Sequence, residues 1–405
     1  MRRTLYAVLA GCFLAPALAS AQTPETESLA GLPAATPADA VPAFVADEST
    51  PGQEGQGNRW YGRTEYLLWW LREGRVPPLL TTGSFANGGV LGAADTKVLY
   101  GDDRLKTRHD DRFNGIRLAL GYWLDAEQDL GVEAGAFFLE RDSTYFKATS
   151  AGDVLLARPF INALDGSPMS EVIAGPAAGG MRNGGFNGYS RVEFFGQEVN
   201  LVAPLAGAGD ARLELLAGAR FLQMRDRLDL TATGRLLPDQ AVLFGLTDHF
   251  RADDQFYGGQ VGVRAERVLG RWLLSVRGQA ALGGTEQVVR AFGDRTYQTP
   301  LTKVVQPFGL AVLPSNSGRS TNTDLDAVYE VGANLGYQVT SYLRGFAGYT
   351  FLYWNNPVRA GDQVDLVVNP SQLTGPLAGP ARPLVPFRED AFWAQGLNAG
   401  MEVRW

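Results

Sequence analysis

The fold is decided by the fifteen residues that end the chain, AFWAQGLNAGMEVRW, Ala391–Trp405. Every second residue from Leu397 to Trp405 is apolar, and the residues between them are polar or glycine. This period of two predicts a β-strand with one apolar face and one polar face. A last strand that alternates and ends on an aromatic residue is typical of bacterial outer-membrane β-barrels. An edge strand of a secreted all-β domain is the alternative.

Composition narrows the class of protein further. The chain has 405 residues, a hydrophobic content of 45% and a mean hydropathy of −0.10. Its one long apolar run lies at the N-terminus and is shorter than a membrane span, which excludes a bundle of membrane helices. Because only helices and closed barrels satisfy their backbone groups in lipid, a membrane protein of this composition must be a barrel. The net charge of −7 argues against nucleic acid as a partner.

The N-terminus carries an export signal. Residues 1–21 begin with Arg2 and Arg3, continue as an apolar run and end on Ala-Ser-Ala, which predicts a Sec signal peptide cleaved after residue 21. A lipoprotein site before Cys12 is the alternative, although it leaves the apolar run beyond it unexplained. Residues 22–58 are rich in Pro, Ala, Thr, Glu and Gly and are predicted to be a disordered periplasmic segment. The barrel is expected over residues 59–405.

Nine further stretches show the same alternation. They are Trp60–Trp70, Ile116–Tyr122, Val132–Phe138, Ser190–Leu201, Leu213–Phe221, Tyr257–Ala265, Trp272–Leu282, Tyr329–Tyr337 and Leu343–Phe351. Long and short connections alternate between them, as expected for an antiparallel up-and-down barrel of about ten strands with long external loops and short periplasmic turns. The alternation changes phase near Phe194 and Phe195, which predicts a bulge. Twelve strands would result if residues 227–233 or 287–292 also crossed the membrane.

Aromatic residues cluster near the predicted strand ends, where aromatic rings favour a membrane–water boundary. They are Trp60, Trp69, Trp70, Tyr122, Trp123, Tyr257, Trp272, Tyr353, Trp354, Trp393 and Trp405. Ordinary packing within the barrel is the alternative interpretation for each of them.

The polar faces of the strands carry the functional hypothesis, because they are expected to point into the lumen. The predicted pore-lining residues are Arg63, Glu65, Arg117, Glu133, Glu214, Arg220, Arg264, Glu266, Arg277, Glu330, Arg344 and Glu402. In our first interpretation they line a narrow path for passive diffusion of small hydrophilic solutes, with Arg117, Arg220, Arg264 and Arg344 at the constriction. In the second, Arg–Glu pairs fill the lumen of a structural or adhesin-like barrel whose external loops contact partners.

Catalytic chemistry has little support in the sequence. His109 and His249 both lie beside aspartates in predicted external loops, but the sequence places no nucleophile next to either. Three Asp-Asp pairs match no calcium-loop spacing, and no glycine-rich phosphate loop opens a helix. The sequence therefore predicts no enzyme activity, no metal and no cofactor.

Several motifs together resemble one known family. They are residues 66–70 with 77–83, 117–124, 216–221, 255–260, 314–318 and 392–398. As a set they are similar to the putative beta-barrel porin-7 family of bacterial outer-membrane proteins, over Trp60 to Trp405. The resemblance implies an outer-membrane barrel and leaves the transported molecule open.

The partners expected of such a barrel are outer-membrane lipid, small solutes and the barrel-assembly machinery, and a homo-oligomer is left open. The assembly signal is expected on the apolar face of the last strand, at Leu397, Ala399, Met401, Val403 and Trp405.

Overall fold

The computed structural model describes residues 59–104, 112–177, 179–238 and 240–405. The predicted signal peptide, the 22–58 segment and His109 lie outside the described residues. Nineteen strands lie within the described ranges. They are β1 (Trp60–Leu71), β2 (Arg75–Val76), β3 (Leu80–Thr82), β4 (Lys97–Tyr100), β5 (Asp103–Arg104), β6 (Phe113–Trp123), β7 (Gly131–Leu139), β8 (Asp142–Ser150), β9 (Leu156–Asn162), β10 (Pro168–Ala177), β11 (Gly180–Ala208), β12 (Ala211–Leu236), β13 (Leu243–Leu269), β14 (Trp272–Gln298), β15 (Lys303–Gln306), β16 (Gly318–Gln338), β17 (Leu343–Trp354), β18 (Val367–Val368) and β19 (Phe392–Arg404).

Ten of these strands close an antiparallel ring in the order β1, β6, β7, β11, β12, β13, β14, β16, β17, β19 and back to β1. At the seam, the Trp60 N–H donates to the Trp405 carbonyl at 3.1 Å and the Trp405 N–H donates back at 3.0 Å. The ring contains all ten strands predicted from the alternation, so that prediction is confirmed. The total strand number was underestimated, because the predicted loops themselves contain β-structure.

The outer face of the ring is an apolar band. Its exposed side chains include Ile116, Leu118, Leu120, Val199, Leu201, Val261, Val263, Leu274, Val276, Val331, Leu335, Leu397 and Met401. Aromatic contacts border it: Trp60 lies 4.6 Å from Tyr122 near the termini, and Phe221 lies 4.8 Å from Tyr257 at the other edge. Outward-facing Trp60 and Trp70 are ten positions apart along β1. At about 3.3 Å per residue and a tilt of about 40°, the height between them is roughly 25 Å, which is the height of a barrel's apolar band.

Four neighbouring strands, β11 to β14, are 26 to 29 residues long and continue far beyond this band. The long loop predicted between the fifth and sixth ring strands is therefore a hairpin with a short connection at residues 237–242. Residues 227–233 and 287–292 belong to these extensions. They add no strand to the ring, and the twelve-strand alternative is wrong.

The predicted bulge at Phe194 and Phe195 is also wrong. The β11–β12 pairing runs in continuous register there and shifts only between Pro204 and Ala206. The hydrophobic pattern inverts instead: Val199 is exposed on the outer face, whereas Phe194 is buried on the inner face. The strand thus leaves the apolar outer band and enters an apolar interior without changing its geometry.

Beyond the ring, the strand extensions and the connections form a cap with its own apolar core. This core joins β9, β10 and the extended hairpins to residues 307–317 and 355–391. The 355–391 connection contains a 3₁₀ turn (Gly361–Gln363) and a one-turn helix, α1 (Ser371–Thr374). No helix in the described ranges is long and apolar enough to span a membrane.

Candidate functional site: the barrel interior

The twelve predicted pore-lining residues all occupy inward positions of ring strands, because each follows the same period of two as its buried neighbours. Eleven of them are in ion pairs with one another or with nearby residues. Glu266 is the exception: within the described ranges no guanidinium lies within 4.0 Å of it. The predicted residues therefore form a network that runs through the interior, which we call the charged layer.

Glu133 on β7 is one centre of the charged layer. It is 4% exposed and its carboxylate lies 2.5 Å from Arg264 and 3.2 Å from Arg277. The Tyr61 hydroxyl donates to the same carboxylate at 2.8 Å. Arg277 continues to Glu198 at 2.7 Å. These contacts satisfy buried charges that would otherwise be costly.

A second centre links opposite sides of the ring. Arg220 lies 2.7 Å from Glu198 and 2.9 Å from Glu330, and Arg117 lies 2.9 Å from Glu330. Arg117 is on β6 and Glu330 is on β16, four strands away around the ring. Their contact therefore crosses the lumen and does not simply join neighbouring strands.

A third centre lies near the seam. Glu402 accepts from Arg404 at 2.8 Å and lies 3.1 Å from Arg63 and 3.3 Å from Arg344. All four arginines of the predicted constriction thus have carboxylate partners. The space left among the charged side chains is a cavity of about 50 Å³, which has room for only a few water molecules.

Sequence reasoning missed Glu198, because the apparent phase change in its strand hid its inward position. Counting in twos from the apolar residues Val199 and Leu201 places Glu198 and Asn200 together on the polar face and would have found it.

An apolar layer fills the lumen next to the charged layer, on the side away from the termini. Every ring strand contributes to it. The residues are Leu67, Trp69, Leu71, Phe113, Phe137, Leu139, Val192, Phe194, Leu222, Met224, Phe256, Ala281, Val328, Leu352, Trp354, Phe392 and Ala394. None is more than 8% exposed. Trp69 and Trp354 were predicted at the membrane boundary, but they face inward and belong to this layer.

Contacts within the apolar layer close the lumen from wall to wall. Phe194 on β11 and Trp354 on β17 lie five strands apart in a ring of ten, directly opposite each other. Their ring centroids are 6.4 Å apart. Phe194 also contacts Phe392 at 5.1 Å and Phe137 at 5.2 Å. Aromatic rings at these distances are in packing contact and leave no room for a path between them.

Further side chains pack towards both ends of the lumen. Near the termini, Trp123, Val202 and Leu216 form a small buried cluster against Tyr61. At the opposite end the 355–391 connection folds into the mouth of the ring, where Arg359 pairs with Asp226 at 2.6 Å. The Val358 N–H donates to Asp254 at 3.1 Å. The apolar layer and the 355–391 connection thus both occupy the lumen.

His249 was predicted to lie in an external loop, next to Asp248. Instead it lies on β13, contacts Asp229 at 2.6 Å and stacks on Phe292 at 4.7 Å. Asp248 points the other way and accepts the N–H groups of Leu310, Ala311 and Val312 at 2.8–3.0 Å, which anchors the 307–317 connection. Within the described residues, no three His, Cys, Asp or Glu side chains are grouped to hold a metal.

Comparison with known proteins gave one family match. The model of the family described as "Putative beta barrel porin-7" matches residues 61–405. No curated protein matches the chain.

Three solved structures show partial likeness. The outer membrane protease OmpT of Escherichia coli has 11% identity and a TM-score of 0.37, over 86% of this chain and 97% of that one. The toluene transporter TodX of Pseudomonas putida has 9% identity and a TM-score of 0.14, over 88% and 93%. An anion-selective porin from Comamonas acidovorans has 8% identity and a TM-score of 0.15, over 85% and 98%.

Proposed function

Because the chain belongs to the putative beta-barrel porin-7 family, we propose that it is a Sec-exported barrel of the bacterial outer membrane whose lumen is filled and does not conduct. The observation that carries this proposal is the contact of Phe194 with Trp354 across the lumen. In this function the barrel is a rigid membrane anchor, and its cap is the part that meets the surroundings of the cell. The proposed role is structural or adhesive and not enzymatic.

The orientation follows from the ring. An even number of strands brings both ends of the barrel domain to one side, at the Trp60–Trp405 seam. In outer-membrane barrels this side carries the short turns and faces the periplasm, and the longer connections face outward. The turns at this end are short, for example residues 209–210 and 270–271. The cap at the opposite end is therefore proposed to lie outside the cell.

Single-channel recording tests the proposal. Residues 22–405, refolded in detergent and inserted into a planar bilayer, are expected to give no discrete current steps. Circular dichroism and heat-modifiable gel mobility must show in parallel that the barrel is folded. Reproducible steps from folded protein would reject the filled-lumen function.

Passive diffusion of small hydrophilic solutes is the second candidate function. It is favoured by the polar cavity of about 50 Å³ among Arg117, Glu133 and Arg220 and by the family's description as a porin. This function needs the apolar layer and the 355–391 connection to move aside. In that case, neutral replacements of Arg117, Arg220, Arg264 and Arg344 would change ion preference.

A further inference from the structure

Five arginines form a continuous row across five neighbouring strands of the sheet. Arg191 on β11 pairs with Arg227 on β12, Arg227 with Arg251 on β13, Arg251 with Arg290 on β14, and Arg290 with Arg319 on β16. We call this set the arginine row. Directly paired residues share one face of a sheet. Here it is the outer face, because Arg290 and Arg319 are exposed while the residues next to them, such as Val289, are buried inside.

This arrangement is unfavourable without a counter-charge. Side chains directly opposite on neighbouring strands lie about 4.5–5.5 Å apart at Cβ, and like charges at that spacing destabilise a sheet. The row repeats the like-charge pairing four times in succession. The whole chain carries a net charge of −7, so a general excess of basic residues does not explain it.

The protein neutralises the arginine row only in part. Arg191 lies 2.6 Å from Glu193, Arg227 lies 2.5 Å from Asp229, and Arg319 lies 3.8 Å from Glu286. Arg251 rests over the Phe292 ring at 4.8 Å. Among the described residues, no carboxylate lies within 4.0 Å of Arg251 or Arg290.

Donor groups in the row also remain unused. The Nε atoms of Arg191 and Arg251 are buried and have no hydrogen-bond partner within the described part of the chain. Two more outward arginines flank the row: Arg141 shares Glu193 with Arg191, and Arg225 lies 3.6 Å from Asp253. An anion that takes forked hydrogen bonds would satisfy both the charge and the donors.

The height of the row identifies the kind of anion. Each arginine lies four to eight residues beyond the border of the continuous apolar band on its strand, which is Phe195, Phe221, Tyr257, Leu282 or Leu325; on β14 the apolar side chain of Phe292 is exposed again beyond the row. At about 3.3 Å per residue and a tilt of about 40°, this is roughly 10–20 Å above the apolar band. Phospholipid headgroups extend only about 5–8 Å beyond the hydrocarbon, so the anion must project further from the membrane.

We propose that the arginine row binds phosphate groups carried on the sugar headgroup of a phosphorylated glycolipid in the outer leaflet. One guanidinium group can bind two oxygens of the same phosphate. Five arginines in a row can therefore bind several phosphate groups along one edge of the barrel. The proposal rests on the outer-membrane location in the proposed function. It does not depend on whether the lumen conducts.

The first test measures binding of a lipopolysaccharide with phosphorylated core sugars to refolded residues 22–405 in detergent micelles, by microscale thermophoresis. Binding is expected to weaken about fivefold or more with each core phosphate removed, as measured with lipopolysaccharides that lack one or all of the core phosphates. Equal affinity for all three lipids would overturn the proposal. Competition by inorganic phosphate at the same concentration as the lipid would assign the site to free phosphate and overturn the glycolipid assignment.

Matched variants locate the site. The triple variant R227Q/R251Q/R290Q is expected to bind the core-phosphorylated lipopolysaccharide about 10- to 100-fold more weakly. The triple variant R59Q/R267Q/R271Q removes the same charge near the termini and is expected to keep the wild-type affinity within about twofold. Equal losses in both variants would show general charge attraction and reject the row as a site.

Heat-modifiable mobility must confirm that each variant is folded. If the triple variant fails to fold, R290Q replaces it as the test variant, because no carboxylate depends on Arg290. R290Q is expected to bind the lipid about fivefold more weakly. Unchanged binding by R290Q would then count against the proposal. Channel recordings do not depend on lipid binding. A failure of the lipid-binding proposal can therefore be distinguished from a failure of the filled-lumen function.

Discussion

Arg220 is the residue whose loss we expect to destabilise the barrel most. Its guanidinium contacts Glu198 at 2.7 Å and Glu330 at 2.9 Å, and its side chain is 4% exposed. In R220M both carboxylates lose the Arg220 guanidinium and keep only their other partners. Breaking a buried ion pair in this way lowers the free energy of unfolding by about 3–5 kcal/mol. Urea unfolding of refolded protein, followed by tryptophan fluorescence, should show a loss of this size.

The matched control for Arg220 is Arg141, whose side chain is 70% exposed and lies 3.3 Å from Glu193. R141M is expected to change the free energy of unfolding by no more than about 1 kcal/mol, because exposed ion pairs contribute little. Adding E330Q to R220M should recover part of the loss. Equal effects of R220M and R141M would contradict the buried network.

Asp362 gives the cap a pH-dependent stability. Burial raises the pKa of Asp362 to about 6; Arg359 opposes the rise, while Asp390 and Asp226 add to it. The folded state therefore binds more protons than the unfolded state between pH about 4 and 6, and stability falls as pH rises through this window. D362N should raise the free energy of unfolding by about 2 kcal/mol at pH 8 and leave it unchanged at pH 4, by thermal unfolding. A constant difference at both pH values would exclude this origin.

At the residue scale, the period of two predicts which side chains face inward but not which of them meet. Arg117 and Glu330 are far apart in the sequence and four strands apart in the ring. Their contact depends on the diameter of the closed barrel. The partner of His249 was missed for a related reason: Asp248 is its neighbour in the chain, but adjacent strand residues point to opposite faces.

At the scale of elements, the 355–391 connection is held in the mouth of the ring chiefly by Arg359. This guanidinium pairs with buried Asp226 at 2.6 Å and donates to the Arg72 carbonyl at 2.9 Å. R359A is expected to free the connection, because it also leaves Asp226 uncompensated. Limited trypsin digestion with mass spectrometry should then show faster cleavage after Arg388.

R382A is the control for this prediction. Arg382 pairs with Asp365 at 2.8 Å within the same connection, and among the described residues it makes no hydrogen bond or ion pair with a ring strand. R382A should leave cleavage at Arg388 close to the wild-type rate. Equal acceleration by both variants would show that Arg359 is not the anchor.

The extensions of β11 to β14 show why the sequence pattern predicted the ends of these strands incorrectly. The ring strands follow from alternation, because lipid-facing residues must be apolar. Beyond the band the outer face of β11 to β14 becomes polar and the inner face becomes apolar, as at Arg191 and Phe194. The same period of two continues with the opposite phase. A sequence pattern read with one fixed phase therefore ends each strand too early and suggests a bulge that does not exist.

For the whole molecule, the filled lumen could not be predicted from the sequence. Arg and Glu on the inner face suit a water-filled path and a paired network equally, and only distances across the ring decide between them. The apolar layer was also concealed, because Trp69 and Trp354 look like boundary aromatics in the sequence. Their neighbours Trp70 and Tyr353 occupy the outward positions.

The final prediction is that two barriers in series close the lumen. Replacing residues 357–389 with a short Gly-Ser linker removes the covering connection but leaves the Phe194–Trp354 contact, so this variant should still give no current. Adding F194A and W354A removes two large rings at the centre of the apolar layer, at a cost of about 3–5 kcal/mol each. If folded by heat-modifiable mobility, the combined variant should give small discrete steps, limited by the charged layer. Steps from the deletion alone would show that the apolar layer is not a barrier, and a silent combined variant would show that the charged layer shuts the lumen unaided.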